Sequence, residues 1–337
     1  MIILGIETSC DETSISVLKD GKEMLSNHIS SQIDIHKEYG GVVPEIASRH
    51  HIKNIAAIME ISLKEAEITL DDVNYIAVTY APGLIGALLV GISFAKGISY
   101  GRDIPIIPVH HIKGHIYANF LENKVELPAI ALVVSGGHTN IIYIDENHKF
   151  FNLGGTLDDA VGESYDKVSR VMGLGYPGGP VIDKLAYEGN KDLIPMPEPK
   201  VGGYEFSFSG VKTSVINYVN KKNMKKEEYN PADIAASFQN RVVDILCKKT
   251  IKAAMEKGVK NILIAGGVAA NSLLRKELLE RSKLKGIEVF YPSMELCTDN
   301  AGMIAAAGYY KLTYGDSDKI FADLKLNGIA NMGIEED

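Results

Sequence analysis

Apolar and polar positions along the 337-residue chain switch between two periods. At the start, "MIILGIET" is an apolar run of strand length, "SCDE" a polar turn and "TSISVLK" a second strand. A turn at Asp20-Gly21 and the segment "KEMLSNHIS" follow. The middle of the chain repeats the rhythm: "PAIALVVS" is a strand, "GGHT" a glycine-bearing turn, "NIIYID" a strand, then "ENHK" and "FFNLG". Each half opens with an apolar strand that enters a small polar turn and comes straight back. The pattern predicts an internal duplication of two α/β lobes.

After each hairpin the period becomes helical. "IASRHHIKNIAAIMEISLKEAEI" carries apolar residues at helical spacing, and "IPIIPVH" is a short buried strand beyond it. In the second half "DIAASFQNRVVDILCKKTIKAAMEKG" reads as a long amphipathic helix closed by Gly258. Strand "NILIAGG", helix "VAANSLLRKELLERS", strand "IEVFYP" and a closing helix "DNAGMIAAAGYYKLTYG" complete the chain. Tyr187 to Thr213, rich in Pro, Gly and Ser, predicts a long loop, and "KKNMKKEE" a solvated surface segment. Ile76 to Ala95 holds no charge, which raises the question of a membrane span. Pro82-Gly83, Gly86 and Gly91 interrupt it, so the expectation is a buried strand, a turn and a buried helix.

Two hairpin-led lobes point to a nucleotide site in a cleft between them, with backbone N–H groups of glycine turns meeting phosphates. The net charge of −8 excludes a broadly basic nucleic-acid surface. A nucleic acid would have to be met locally, with Arg49, Lys53, Arg241, Lys248 and Lys249 as candidates, or with a partner's help. Three scattered cysteines, and a start without a basic, signal-like segment, fit a reducing cytoplasm.

Several stretches carry chemistry beside a plain structural reading. "VVSGGH" sets Ser135, Gly136 and Gly137 at a strand end, as a phosphate cradle or a tight turn. "LIAGGVAANSLLRKEL" ends a strand at Gly266-Gly267, with Asn271 suited to a phosphate or ribose, and equally to capping a helix. Asp158, Asp159, Glu163, Asp166 and Asp183 surround "GYPGGP". Carboxylates there suit ribose hydroxyls or a metal, or, for one or two of them, a solvated face. Glu7, Asp11 and Glu12 lie around the first hairpin, where they would orient a water or metal, or simply form a polar turn.

His111 and His115, in "VHHIKGHIYANF", are four apart, which on a helix brings their Cβ atoms within about 5–6 Å. That spacing suits two imidazoles on one metal. The metalloprotease pattern H-E-x-x-H needs a glutamate beside the first histidine, and Ile112 stands there. Two histidines need a third protein ligand. Asp299, in "CTDNAGM" before the last helix, is the candidate; its plain reading is an N-cap. His110 reads as a neighbour only, and His50 and His51 as surface or packing residues.

Taken together, "GIETSCDET", "YGGVVPEIASR", "APGLIGALLVG", "PVHHIKGH", "LVVSGGHT", "DDAVGESYDK", "YPGGP", "FSFSGVKT", "AGGVAANSLLR" and "CTDNAGM" closely resemble one family over nearly the whole chain. It is the bacterial tRNA N6-adenosine threonylcarbamoyltransferases, of the group once described as O-sialoglycoprotein endopeptidases. The resemblance implies the duplicated two-lobe α/β fold of actin, sugar kinases and Hsp70-type chaperones, with its interlobe cleft. The expected division is 1–126 with the histidine pair, 127–298 with the glycine turns, and 299–337 as closing helix and tail.

The resemblance also implies metal ligands at His111, His115 and Asp299, and an adenylate-binding segment at Val133, Val134, Ser135, Gly136 and Gly137. Further substrate contacts fall on Asp166, Gly179, Asp183 and Asn271. Asp11 and Glu12 are the candidate catalytic carboxylates. The expected cofactor is one divalent metal, Fe²⁺ or Zn²⁺. The expected donor is threonylcarbamoyl-AMP, with ATP or ADP and Mg²⁺ as further occupants of the cleft. The acceptor is N6 of adenosine 37, in the anticodon loop of tRNAs that read codons beginning with A. Implied partners are a paralogous scaffold subunit, a small ATPase and the enzyme that makes the adenylate; no membrane is implied. An ATP-dependent small-molecule kinase of the same fold stands as the alternative. A zinc peptidase is disfavoured by Ile112, and a non-enzymatic binding module by the polar residues at strand ends.

Overall fold

The computed structural model describes residues 1–337 throughout. The first hairpin forms as β1 (Ile2–Glu7) and β2 (Glu12–Lys19), antiparallel, with Ile6 opposite Ile15. β3 (Glu23–Ser31) continues the meander on β2. On the other side of β1 lie β4 (Tyr75–Ala81) and then β5 (Ile106–His110), both parallel. β1 and β4 are buried on both faces, which is why they read as nearly continuous apolar runs rather than as alternation.

The second half repeats the arrangement. β6 (Ala129–Val134), β7 (Thr139–Ile144) and β8 (Phe150–Gly155) form an antiparallel meander. β9 (Asn261–Ala265) runs parallel to β6, and β10 (Glu288–Phe290) parallel to β9. The strand orders are β3-β2-β1-β4-β5 and β10-β9-β6-β7-β8, one topology read from opposite edges. The repeated sequence rhythm is therefore a repeated sheet.

Helices of the first half are α1 (Ile33–Lys37), α2 (Pro44–Glu65), α3 (Ile85–Arg102) and α4 (His111–Glu122). Those of the second are α5 (Val161–Val171), α6 (Gly178–Ala186), α7 (Ser209–Lys225), α8 (Pro231–Lys257) and α9 (Ser272–Lys283). A single turn, α10 (Met294–Cys297), and the closing α11 (Ala301–Tyr314) end the set. The uncharged stretch is β4 and the start of α3, whose Leu88, Ile92 and Ala95 join Leu4, Ile6 and Val78 in one core. No helix is long and apolar enough to cross a membrane.

The chain packs as two units, Met1–Val125 with Pro292–Asp337, and Glu126–Tyr291. Residues 292–298, expected with the second lobe, belong to the first. Ser293 N–H donates to Glu122 of α4 (2.6 Å) and holds the α10 segment there. The predicted loop also ends earlier than Thr213, because α7 begins at Ser209. The Asp158 carboxylate accepts from Phe208 N–H (2.8 Å) and from the Ser207 and Ser209 hydroxyls (2.5 and 2.8 Å). A cap supplied from so far back in the chain leaves no local sequence signal. "VAANSLLRKELLERS" divides into a 3₁₀ turn, Gly267–Ala270, and α9.

Candidate metal centre and glycine turns

α4 is entered directly from β5. His110 caps it: its Nδ1 accepts from Ile112 N–H (3.2 Å), and its Nε2 faces the Met332 carbonyl (3.2 Å). Burial holds His110 neutral, down to about 4, which suits one accepting and one donating ring nitrogen. His110 is thus a structural cap rather than a bystander. One turn on, His111 and His115 share a face, with ring centroids 4.6 Å apart. α4 can lie close to α11 because residue 114 is glycine: a Cβ there would come within 2.7 Å of Ile304 Cδ1.

That close approach delivers Asp299. Asn300, not Asp299, caps α11, accepting from Met303 N–H (2.9 Å). The Asp299 carboxylate instead faces the histidines, with Oδ1 3.1 Å from His115 Nε2 and 3.5 Å from His111 Nε2. One potential ligand atom from each of the three residues lies within 4.8 Å of the other two. His115 is 1% exposed, yet neither ring nitrogen makes a well-formed hydrogen bond. A buried polar group in that condition calls for an ion or equivalent partner. Two imidazoles and a carboxylate are the donor set of a three-ligand site with open positions. The residues fit one divalent metal.

Carboxylates crowd this centre. Burial opposes a charge on His111, but Asp299 and Glu7 outweigh it and raise the imidazole to about 9. Burial, followed by the charges of Asp299 and Asp11, pushes Glu12 well above the usual carboxylate range. Glu12 accepts from Ser31 Oγ (3.0 Å) and has Asp11 beside it at the same turn. Both carboxylates are buried. Behind this turn lies His51, expected as a surface or packing residue. It is fully buried and bonded to the turn itself, with Nε2 3.0 Å from the Cys10 carbonyl and Nδ1 2.8 Å from Thr13 Oγ1.

In the second unit the candidates gather at the carboxyl ends of β6 and β9. Val133 and Val134 are wholly buried and sit within the ladders, so they anchor the turn. Gly136 and Gly137 are exposed, and a Cβ on either would meet nothing within 4 Å. Gly266 differs: its φ is +91°, and a Cβ would strike the Val134 carbonyl at 2.5 Å. That glycine is needed by the fold itself.

The Asp166 carboxylate accepts from Gly178 N–H (2.7 Å), next to Gly179, and burial raises it. Asp183 accepts from Gln239 Nε2 (3.0 Å) and from both N–H and hydroxyl of Ser272 (3.1 and 2.8 Å). Asn271 caps α9 through Leu274 N–H (2.9 Å) and donates to Gln239 Oε1 (2.9 Å). Gln239, mid-helix in α8, joins Asp183 to Asn271; nothing local in "AASFQNR" marks it. The other acidic residues are structural. Asp158 caps α7, while Asp159 pairs with Lys167 and Lys212, which hold its carboxyl below the usual range despite burial. Glu163 pairs with Lys167 (2.8 Å).

Most basic candidates for nucleic acid are engaged locally: Arg49 with Glu45, Arg241 and Lys248 with Asp244, and Lys249 with the Val201 and Gly203 carbonyls.

Two units of one sheet topology define an α/β protein of the actin-like ATPase fold, here carrying a His-His-Asp centre. Solved structures agree on the fold. T. kodakarensis HypF superimposes with a TM-score of 0.64 at 14% identity, covering 95% of this chain and 49% of that one. Component A of (R)-2-hydroxyglutaryl-CoA dehydratase from Acidaminococcus fermentans gives 0.54 at 18%, covering 93% and 98%.

Sequence likeness is far more specific. The profile of the TsaD family, tRNA N6-adenosine threonylcarbamoyltransferase, matches residues 23–306. A relative of that name from Fusobacterium nucleatum subsp. nucleatum is 70% identical, covering 100% of this chain and 99% of its own. One from Caldicellulosiruptor saccharolyticus is 54% identical over 94% and 95%. The chain belongs to the tRNA N6-adenosine threonylcarbamoyltransferase family, and it is a transferase of tRNA modification.

Proposed function

We propose that this enzyme transfers the threonylcarbamoyl group of threonylcarbamoyl-AMP to N6 of adenosine 37, in tRNAs reading codons that begin with A. The observation that carries the metal-assisted form of this reading is the convergence of His111, His115 and Asp299 on one point. A carbamoyl–phosphate mixed anhydride is already activated. The site has to hold its carbonyl and present it to an aromatic amine. Fe²⁺ or Zn²⁺, when bound there, would supply Lewis-acid polarisation of that carbonyl. His111, His115 and Asp299 would hold the ion. A buried isoleucine at 112, where a peptidase has its glutamate base, costs such a reaction nothing.

Asp11 and Glu12, both buried at the first hairpin turn, form the pair that takes the proton released by N6. The bond from N6 to the carbonyl carbon forms as the carbonyl–phosphate bond breaks, and AMP leaves as an anion. Exposed Gly136 and Gly137 receive the adenylate through their backbone, helped by Asp166, Gly179, Asp183 and Asn271. ATP or ADP with Mg²⁺ would use the same turns.

The acceptor base lies in a single-stranded loop and can be splayed out without opening a duplex. With most basic candidates engaged locally, the isolated chain binds tRNA weakly, and a paralogous scaffold subunit completes the path. A small ATPase and the adenylate-forming enzyme act with it in the cytoplasm. The test is a reconstitution with unmodified tRNA, threonine, bicarbonate and ATP, plus the adenylate-forming enzyme and partners, read by mass spectrometry of the modified adenosine. Modification that requires this chain and fails with Asp299→Ala supports the reading. Equal modification without the chain overturns it.

A further inference from the structure

The metal centre has a back wall that the three ligands do not account for. Glu7 ends β1, Thr79 lies on β4, and His111 follows β5, so three adjacent parallel strands bring these side chains together at their carboxyl ends. Glu7 is 0% exposed, and its oxygens are occupied. Oε1 accepts from Ser9 N–H (2.5 Å), and Oε2 accepts from Thr79 Oγ1 (2.5 Å). His111 Nδ1 lies 3.2 Å from the same Oε2, with Ser9 Oγ also beside it at 3.1 Å. Glu7 contributes no atom to the cluster of potential ligands.

We propose that Glu7 is a positioning residue that fixes His111 as an Nε2 ligand. The inference rests on the metal reading above. A carboxylate holding two donors can meet the ring only as acceptor, so the nitrogen facing it, Nδ1, carries hydrogen. The lone pair is then on Nε2, the atom that faces Asp299. A ligating histidine whose other ring N–H is held by a carboxylate is both oriented and made a stronger donor. Sequence position suggested that Glu7 would orient water or metal directly; its bonds assign it to the ligand instead.

Glu7→Gln tests this, because it keeps the shape and removes the symmetry. The amide has one accepting oxygen for the two places where acceptors are needed. If that oxygen stays with Ser9 N–H, the NH₂ faces Nδ1 and forces the proton to Nε2, where the metal should bind. If the amide flips, a donor faces Ser9 N–H.

The experiment uses the full chain and zinc alone. Competition with a chelator measures zinc affinity for wild type, Glu7→Gln and His111→Ala. ¹⁵N spectra of the histidines in zinc-loaded wild type, with His111 assigned by its absence in a variant, locate the proton. Zinc affinity should fall by about 10–100-fold in Glu7→Gln with the fold intact, and the wild-type proton should sit on Nδ1. Unchanged affinity in a folded Glu7→Gln, or zinc on His111 Nδ1, overturns the proposal. Should Glu7→Gln fail to fold, the wild-type spectrum decides alone. A wild-type chain that takes up no zinc overturns the metal reading itself, an outcome distinct from a loss confined to Glu7→Gln.

Discussion

His51 Nε2 lies 3.0 Å from the Cys10 carbonyl oxygen, although the two residues belong to α2 and to the first hairpin turn. The carbonyl only accepts, so Nε2 carries hydrogen and Nδ1 accepts from Thr13 Oγ1. That assignment is the neutral imidazole. Burial, the largest influence, holds His51 below its ordinary value. In the window from about 6.5 down to the folded value the unfolded chain binds more protons than the native one, so stability rises with pH there. His110, held neutral to about 4, has the same sign. The contribution of these two histidines to unfolding free energy should therefore drop between pH 7.5 and 5.5, while His111, raised to about 9, acts with the opposite sign above about 6.5. His51→Gln should flatten that drop and cost about 1–3 kcal/mol at pH 7.5, as read by urea denaturation. An undiminished slope in His51→Gln would remove His51 from the account.

The purified protein should carry about one iron or zinc per chain, as three protein ligands imply. His111→Ala and Asp299→Ala should each lose it by elemental analysis, while Asp159→Ala, which breaks only its lysine pairs, should keep it. Full metal content in His111→Ala would show the ion lies elsewhere.

Two glycines at strand ends should respond in opposite ways. Gly137→Val adds a side chain into open space, so stability should hold while adenine-nucleotide binding weakens at least tenfold by calorimetric titration. Gly266→Ala forces a positive φ and a backbone clash, so its melting temperature should fall, by about 1–2 kcal/mol or more of stability. Nucleotide affinity untouched by Gly137→Val would remove the adenylate from that turn.

The Asp337 carboxylate is buried against Lys113 of α4, Lys311 of α11 and the Tyr80 hydroxyl, at 2.8, 2.9 and 2.9 Å. Burial opposes its charge, but Lys311 and Lys113 outweigh it and hold the carboxyl far below the usual range. Lys113 is itself lowered by burial, so part of the attraction goes to desolvating the lysine. With a folded value below the unfolded one, about 3.9, the contribution is complete above that pH and is lost as pH falls toward the folded value. Asp337→Ala should destabilise by about 3 kcal/mol at pH 7, with a smaller deficit at pH 3, measured by chemical denaturation. Equal deficits at both pH values would argue against the ion pairs.

The hairpin rhythm was legible because each lobe's first strands are neighbours in sequence and in the sheet. The histidine pair was legible because one helical turn separates the two residues. Asp299 was legible only as a candidate, because its plain reading was the helix cap, a role Asn300 holds in the structure. Asp158, His51 and Gln239 were not legible in these roles. Their partners lie on other elements, and a polar residue gives no local sign of which distant group it will satisfy. The acidic run at 158–166 misled for the same reason: Asp158 and Asp159 serve helix and lysine, whereas Asp166 meets the backbone of the next glycine turn.

The first unit is interrupted: it begins at Met1, breaks off at Val125, and resumes at Pro292. During synthesis His111 and His115 emerge before the second unit is made, and Asp299 only after it is complete. A chain stopped anywhere in between has two imidazoles without their carboxylate. An ion held by these three residues would therefore mark chains whose translation has run past the second sheet, and stalled or clipped chains would lack the full ligand set.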